Sequence, residues 1–123
     1  MGKFIIRTTN TGVKFDLRAA NGEIIATSEI YASRDACIRG VASVRKNAPY
    51  AAIENQTEKD YGRRNHPKFE VYMDRGGQYR FRLKSANGRI IAVSEGYRAL
   101  SGCLNGIVSV QKNAAQARLV YEL

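Results

Sequence analysis

The chain has little of what most chemistry requires. Its 123 residues include one histidine, His66, and two cysteines, Cys37 and Cys103. One His and two distant Cys do not make a zinc ligand set, so no metal is expected. A nucleophilic thiol needs a base beside it. The single histidine lies in a polar stretch, just before Pro67. Both cysteines are expected buried and reduced; a bond between them would require the helices that carry them to meet. No stretch approaches the roughly 20 apolar residues that span a bilayer, so no membrane partner is expected. The opening MGKFIIRTTN has no apolar h-region, and Gly2 lacks the downstream Ser or Thr of a myristoylation signal. The expected location is therefore cytoplasmic. No Gly-rich phosphate loop is present, because Gly76-Gly77 separates two strand patterns and no helix follows; no cofactor is expected. Acidic residues are scarce: 11 Asp and Glu face 20 Lys and Arg, a net charge of +9. Such an excess attracts polyanions at long range without selecting one.

What is there is a duplication. Ala20–Tyr31 reads ANGEIIATSEIY and Ala86–Tyr97 reads ANGRIIAVSEGY. A shift of 66 aligns residues 15–48 with 81–114, with more than half of the positions identical. Lys3-Phe4 matches Lys68-Phe69 at a shift of 65, so the second copy carries one extra residue in its first turn. The organisation is a first repeat over 1–55, a polar linker over 56–67 and a second repeat over 68–123, together one domain.

Within each copy the apolar period changes. Phe69, Val71 and Met73, then Tyr79, Phe81 and Leu83, alternate with polar residues as half-buried strands; Phe4 and Ile6, then Val13, Phe15 and Leu17, do the same in the first copy. Asn21-Gly22 and Asn87-Gly88 predict type I′ hairpin turns, followed by strands over 23–29 and 89–95. A helix follows, with Cys37, Val41, Val44 and Ala48 on one face in the first copy and Cys103, Ile107, Val110 and Ala114 in the second. Ser33 is placed to cap the first helix; Ala99 stands in its place in the second, where Ser101 and a later start are expected. Short strands near 51–54 and 119–123 close each unit. The class is α+β, in two tandem β-β-β-α-β repeats.

These residues resemble the YegP-like family, a bacterial domain of unknown function. The likeness rests on KFEVYMDRGGQYRFRLKSANGRIIAVSEGY followed by CLNGIVSVQKNA, and it covers nearly the whole chain outside the linker. It implies one continuous, mainly antiparallel sheet with the helices on one face, the final strands being exchanged between the repeats. It implies no catalytic residue. An exchange also suits the physics, since a unit of about 55 residues has only a marginal core of its own.

The duplicated phrase reads as scaffold. With Asn87 and Gly88 as the loop, Ile90, Ala92 and Ser94 face the helix while Ile91 and Val93 face away. Glu95 then lies opposite Arg80, and Glu29 opposite Lys14, as cross-strand charge pairs. Tyr31 and Tyr97 are expected buried with their hydroxyls on backbone. Gly40 and Gly106, inside the helices, mark a close backbone approach. The chain is expected to be no enzyme. It reads as a structural or protein-interaction module, its partner another protein or a second copy. The alternative is nucleic acid held on the sheet face opposite the helices, through Arg80, Arg82, Lys84 and Tyr72 of the second copy and Arg7, Lys14 and Arg18 of the first.

Overall fold

The computed structural model describes residues 2–122. Eight strands form one mixed sheet. The first repeat contributes β1 (Lys3–Thr8), β2 (Val13–Arg18), β3 (Ile24–Thr27) and β4 (Ala52–Asn55). The second contributes β5 (Lys68–Met73), β6 (Tyr79–Lys84), β7 (Ile90–Val93) and β8 (Arg118–Glu122). Helix α1 (Arg34–Asn47) precedes β4, with a 3-10 turn at Ala48–Tyr50 between them, and α2 (Leu100–Ala114) precedes β8. The spatial order is β4-β5-β6-β7-β3-β2-β1-β8, which reads the same from either border once the repeats are interchanged. Each closing strand lies parallel to the first strand of the other repeat, β4 on β5 and β8 on β1; the remaining neighbours are antiparallel. At the centre β3 and β7 share one residue pair, Thr27 with Val93. Neither helix is long and apolar enough to cross a membrane.

The core follows the alternation. Phe4, Phe15, Phe69, Phe81, Leu17 and Leu83 are fully buried, as are Cys37, Val44, Cys103, Ile107 and Val110 from the helices. Phe4 meets Phe15 edge-on at 5.6 Å and Phe15 stacks on Tyr31 at 6.4 Å; Phe69, Phe81 and Tyr97 repeat this at 5.7 and 6.4 Å. The helices also tie the halves together. Asn47 at the end of α1 accepts from the Ala86 N–H of the second repeat at 3.2 Å, and Gln111 of α2 donates to the Ala48 carbonyl at 3.3 Å.

Several local expectations change. The Asn-Gly loops hold three residues, not two: Gly88 N–H bonds the Ser85 carbonyl, Ser85 N–H bonds the Arg89 carbonyl, and only Gly88 has positive φ (85°). Ala19–Glu23 repeats this, with Gly22 at 87°. This is a type I turn closed by a glycine bulge, in which Asn keeps an ordinary backbone. The register then slips between Leu83 and Lys84: Leu83 pairs with Ala92 but Lys84 pairs with Ile90. Ile91, the extra residue, joins Ala92 in the core, and Ile90 is left 42% exposed. Ile25 is buried in the same way. The third strands are accordingly shorter than predicted. Ser33 Oγ caps α1 by accepting from the Ala36 N–H at 3.1 Å, whereas α2 starts at Leu100 behind Ala99 with no side-chain cap. The predicted closing strand includes Leu123, which lies outside the described residues.

Gly40 and Gly106 answer to tyrosines and not to backbone. A Cβ on Gly40 would fall on the Tyr31 hydroxyl, and one on Gly106 on that of Tyr97. The hydroxyls lie over the helix glycines, and no backbone hydrogen bond to either is found among the described residues. Gly40→Ala gains about 1 kcal/mol of helix propensity but overpacks this contact, at a cost of about 1–3 kcal/mol. We expect a net loss of stability in urea unfolding. Tyr31→Phe introduced alongside should recover part of it, because the hydroxyl is what the new methyl meets first.

Candidate functional site

The sheet face opposite the helices is crossed by one row of paired positions. From border to border it runs Glu54, Glu70, Arg82, Val93, Thr27, Asp16, Ile5, Val120. The face was expected to be open and basic. In the second half its charges are largely paired. Glu54, Lys68 and Glu70 are buried, with Lys68 Nζ 2.8 Å from Glu54 Oε1 and 3.3 Å from Glu70 Oε2. Gln56 donates to Glu54 Oε2 at 2.7 Å, and the Arg64 N–H donates to its Oε1 at 2.7 Å, so the returning linker lies against the face at this border.

The seven residues singled out from the sequence all sit on this face, in two groups. Tyr72 pairs with Arg80 across β5 and β6, with Arg82 and Lys84 following along β6. Arg82 Nε is 2.6 Å from Glu70, Lys84 Nζ is 3.2 Å from the same oxygen, and Arg80 Nε is 2.6 Å from Asp74. The Arg82 guanidinium lies 4.6 Å from the Tyr72 ring centroid and covers one side of the expected stacking surface. Arg7 and Lys14 form the second group, opposite each other and shared by Asp16 at 2.9 and 3.8 Å. Arg18 alone of the seven cations and aromatics has neither a carboxylate nor a ring partner among the described residues, and its Nε is buried with no acceptor.

The cross-strand pairs expected for the duplicated glutamates are replaced. Arg80 turns to Asp74 and the Ser94 carbonyl, away from Glu95. Lys14 goes to Asp16, and Glu29 instead meets Arg89 of the other repeat at 3.5 Å. Arg80 is taken by a carboxylate in the adjoining turn, and Lys14 by one two residues along its own strand. Sequence reading missed Lys3, Glu54 and Arg118. Their alternation within each strand was visible, but their neighbours depend on which strand lies alongside the closing strands.

Burial sets the thiols, and hydrogen bonding sets the buried charged groups. It pushes both thiols, Cys37 and Cys103, up to about 11, and both are free. For Glu54 burial pushes upward, yet the hydrogen bonds from Lys68, Gln56 and the Arg64 N–H outweigh it and hold the carboxyl at about 2. Glu70 is likewise lowered: burial opposes ionisation, and Arg82, Lys84 and Lys68 overcome it. Lys68 is raised, chiefly by its bond to Glu54. Among the described residues no three His, Cys, Asp or Glu side chains are grouped to hold a metal.

Comparison with known proteins agrees on one family. The model for a domain of unknown function, DUF1508, matches twice, over residues 9–55 and 74–120. The UPF0339 protein YegP of Yersinia pestis is 38% identical over 114 residues, covering 92% of this chain and 88% of that one. A UPF0339 protein of Methanosarcina acetivorans is 60% identical over 53 residues, which is 43% of this chain but 91% of the relative. Two solution NMR structures share the fold. The protein of unknown function yegP from E. coli has a TM-score of 0.78 at 32% identity, covering 98% and 92% of the two chains. UPF0339 protein SO3888 from Shewanella oneidensis has a TM-score of 0.80 at 27% identity, covering 98% and 90%.

The Glu54–Lys68 pair gives a test with a defined sign. A carboxyl lowered in the folded state contributes stability above its ordinary value near 4.5, lost as pH falls toward 2. Glu54→Gln leaves the buried Lys68 ammonium with Glu70 as its remaining carboxylate and should cost about 1–3 kcal/mol at pH 7. Urea unfolding of wild type and variant should show that gap at pH 7 and a shrinking one as pH approaches 2.

Proposed function

The chain belongs to the DUF1508 family, whose function is unknown, and from that premise we propose that it is a non-enzymatic interaction module that accepts an extended protein strand at β8. Its potentially reactive groups are engaged in structure: both thiols are buried, and Asp16, Glu54, Glu70 and Asp74 all sit in ion pairs. The carrying observation is the border strand β8, which has β1 on one side and no described strand on the other. Its Tyr121 is 47% exposed, and Leu119 and Val120 are half-buried. Arg118 donates inward to the Gly2 carbonyl at 3.3 Å. By the alternation of a parallel ladder, Leu119 and Tyr121 then turn their N–H and C=O groups outward. Such a border recruits a partner strand by backbone bonding. The opposite border has the linker lying against Glu54.

Sedimentation velocity from micromolar to millimolar protein tests this. Association should rise with concentration, and Tyr121→Pro, which deletes an outward donor, should weaken it by about tenfold, since one proline removes a ladder bond. A chain that stays monomeric throughout and retains no protein after nuclease treatment would end the reading.

A second reading is polyanion binding on the sheet face through Arg7, Lys14, Arg18, Tyr72, Arg80, Arg82 and Lys84. The net charge of +9 and the shared face of these residues favour it. Retention on heparin should then fall steeply with salt. Alanine at Arg80, Arg82 and Lys84 together should lower it; unchanged retention removes these three from the reading.

A further inference from the structure

Three cations occupy one cross-strand row in the first half of the sheet. Arg18 on β2 lies opposite Lys3 on β1, and Lys3 lies opposite Arg118 on β8. Like charges placed directly opposite on neighbouring strands repel. Among the described residues none of the three forms an ion pair, although Arg7 and Lys14 on the same two strands share Asp16. Among the described residues the Arg18 guanidinium has no hydrogen-bond partner, and its Nε–H is buried without an acceptor. A buried donor left unmet is costly, and a guanidinium with all its donors unspent is a strong anion ligand.

The second half of the sheet serves as an internal control. There the equivalent row is Lys84, Lys68, Ala52. Its two lysines are neutralised by Glu54 and Glu70 in the adjoining row. The first half places Val120 and Ile5 at those two positions. The first half thus has cations at both lysine positions and a third, Arg118, where the other half has Ala52, with apolar side chains in place of the two carboxylates. A cavity of about 260 Å³ opens at this place, with Lys3, Ile5, Arg18 and Val120 in its lining. Glu122, opposite Arg7 in the register, is the one acidic residue lining it.

We propose that Arg18, Lys3 and Arg118 form an oxyanion site on the sheet face whose ligand is a phosphate group, carried by a small molecule or by a nucleic-acid backbone. The guanidinium fork of Arg18 suits two phosphate oxygens at once, with Lys3 and Arg118 as flanking charges. Lys3 and Arg18 line the cavity against one acid, Glu122, and Arg118 stands opposite Lys3 in the register, which leaves an excess of positive charge for an oxyanion. Ile5 and Val120 supply an apolar floor that keeps competing water from the charged rim. The proposal is separate from strand addition at β8. It narrows the polyanion reading to one half of the face, but it also stands without that reading, since a free phosphate suffices.

The test follows backbone amide NMR shifts of the labelled 123-residue chain in low salt, titrated with inorganic phosphate and separately with a ten-nucleotide oligothymidylate. Saturable shifts should centre on Lys3, Arg18 and Val120. Ile5→Glu with Val120→Glu restores the carboxylates of the other half and should weaken binding at least tenfold. Arg18→Gln, Lys3→Gln and Arg118→Gln together should do the same by a different route. Arg39→Gln, Lys46→Gln and Lys112→Gln, an equal charge loss on the helices, should change little. Phosphate binding without oligonucleotide binding sustains the site and ends the polyanion reading. Tighter oligonucleotide binding, with a log–log salt slope of about −2 for three phosphates, assigns the ligand to a backbone. No saturable shift with either probe overturns the proposal. So does a helix triple variant as weak as the sheet triple, or a double glutamate variant that binds as wild type.

Discussion

The parallel contact between each closing strand and the other repeat's first strand holds the molecule together. Between β3 and β7, where the two halves meet mid-sheet, only Thr27 and Val93 pair. A seam that narrow does not join two three-stranded units by itself. The joint lies at the borders, where β4 runs along all of Ala52–Asn55 beside β5 and β8 runs from Arg118 to Glu122 beside β1. The helices reinforce it, with Asn47 holding the Ala86 turn of the opposite repeat. A unit of about 55 residues is marginal alone; sharing strands gives both units one apolar cluster, from Phe4 to Ala117.

The borders also decide what the sheet face can do. Glu54 and Val120 occupy equivalent places at opposite ends of one row, and each is delivered by a closing strand. In one half the delivered carboxylate, bonded to Lys68, makes a buried ionic cluster that needs its partners to remain. In the other the delivered valine leaves basic neighbours without counter-charges. The backbone is duplicated while the electrostatics are not, and the proposed oxyanion site lies in the half that departs from the neutral pattern.

Much of the architecture was legible because it is local. Alternation placed Phe69, Val71, Phe81 and Leu83 in the core, and the 3.6 period placed Cys37, Val41 and Val44 there too. The duplication fixed two like units before any motif was weighed. What escaped was set by single residues or by distant strands. Asn-Gly is compatible with two loop lengths; the bulge that follows the longer one reverses Ile90 and Ile91, and no period within one strand reveals it. Arg80 had two acids in reach, Asp74 in the adjoining turn and Glu95 across the strand pair, and the turn aspartate captured it. Lys3 and Arg118 became neighbours only once β8 was laid on β1.

The interlacing also bears on how the chain comes apart. Most of the linker between Asn55 and Lys68 is exposed, a natural place for a protease to cut. A cut there would release neither piece: the N-terminal fragment still grips the other through β4, and is itself gripped by β8. The severed molecule would behave as a non-covalent heterodimer whose separation requires both borders to open at once.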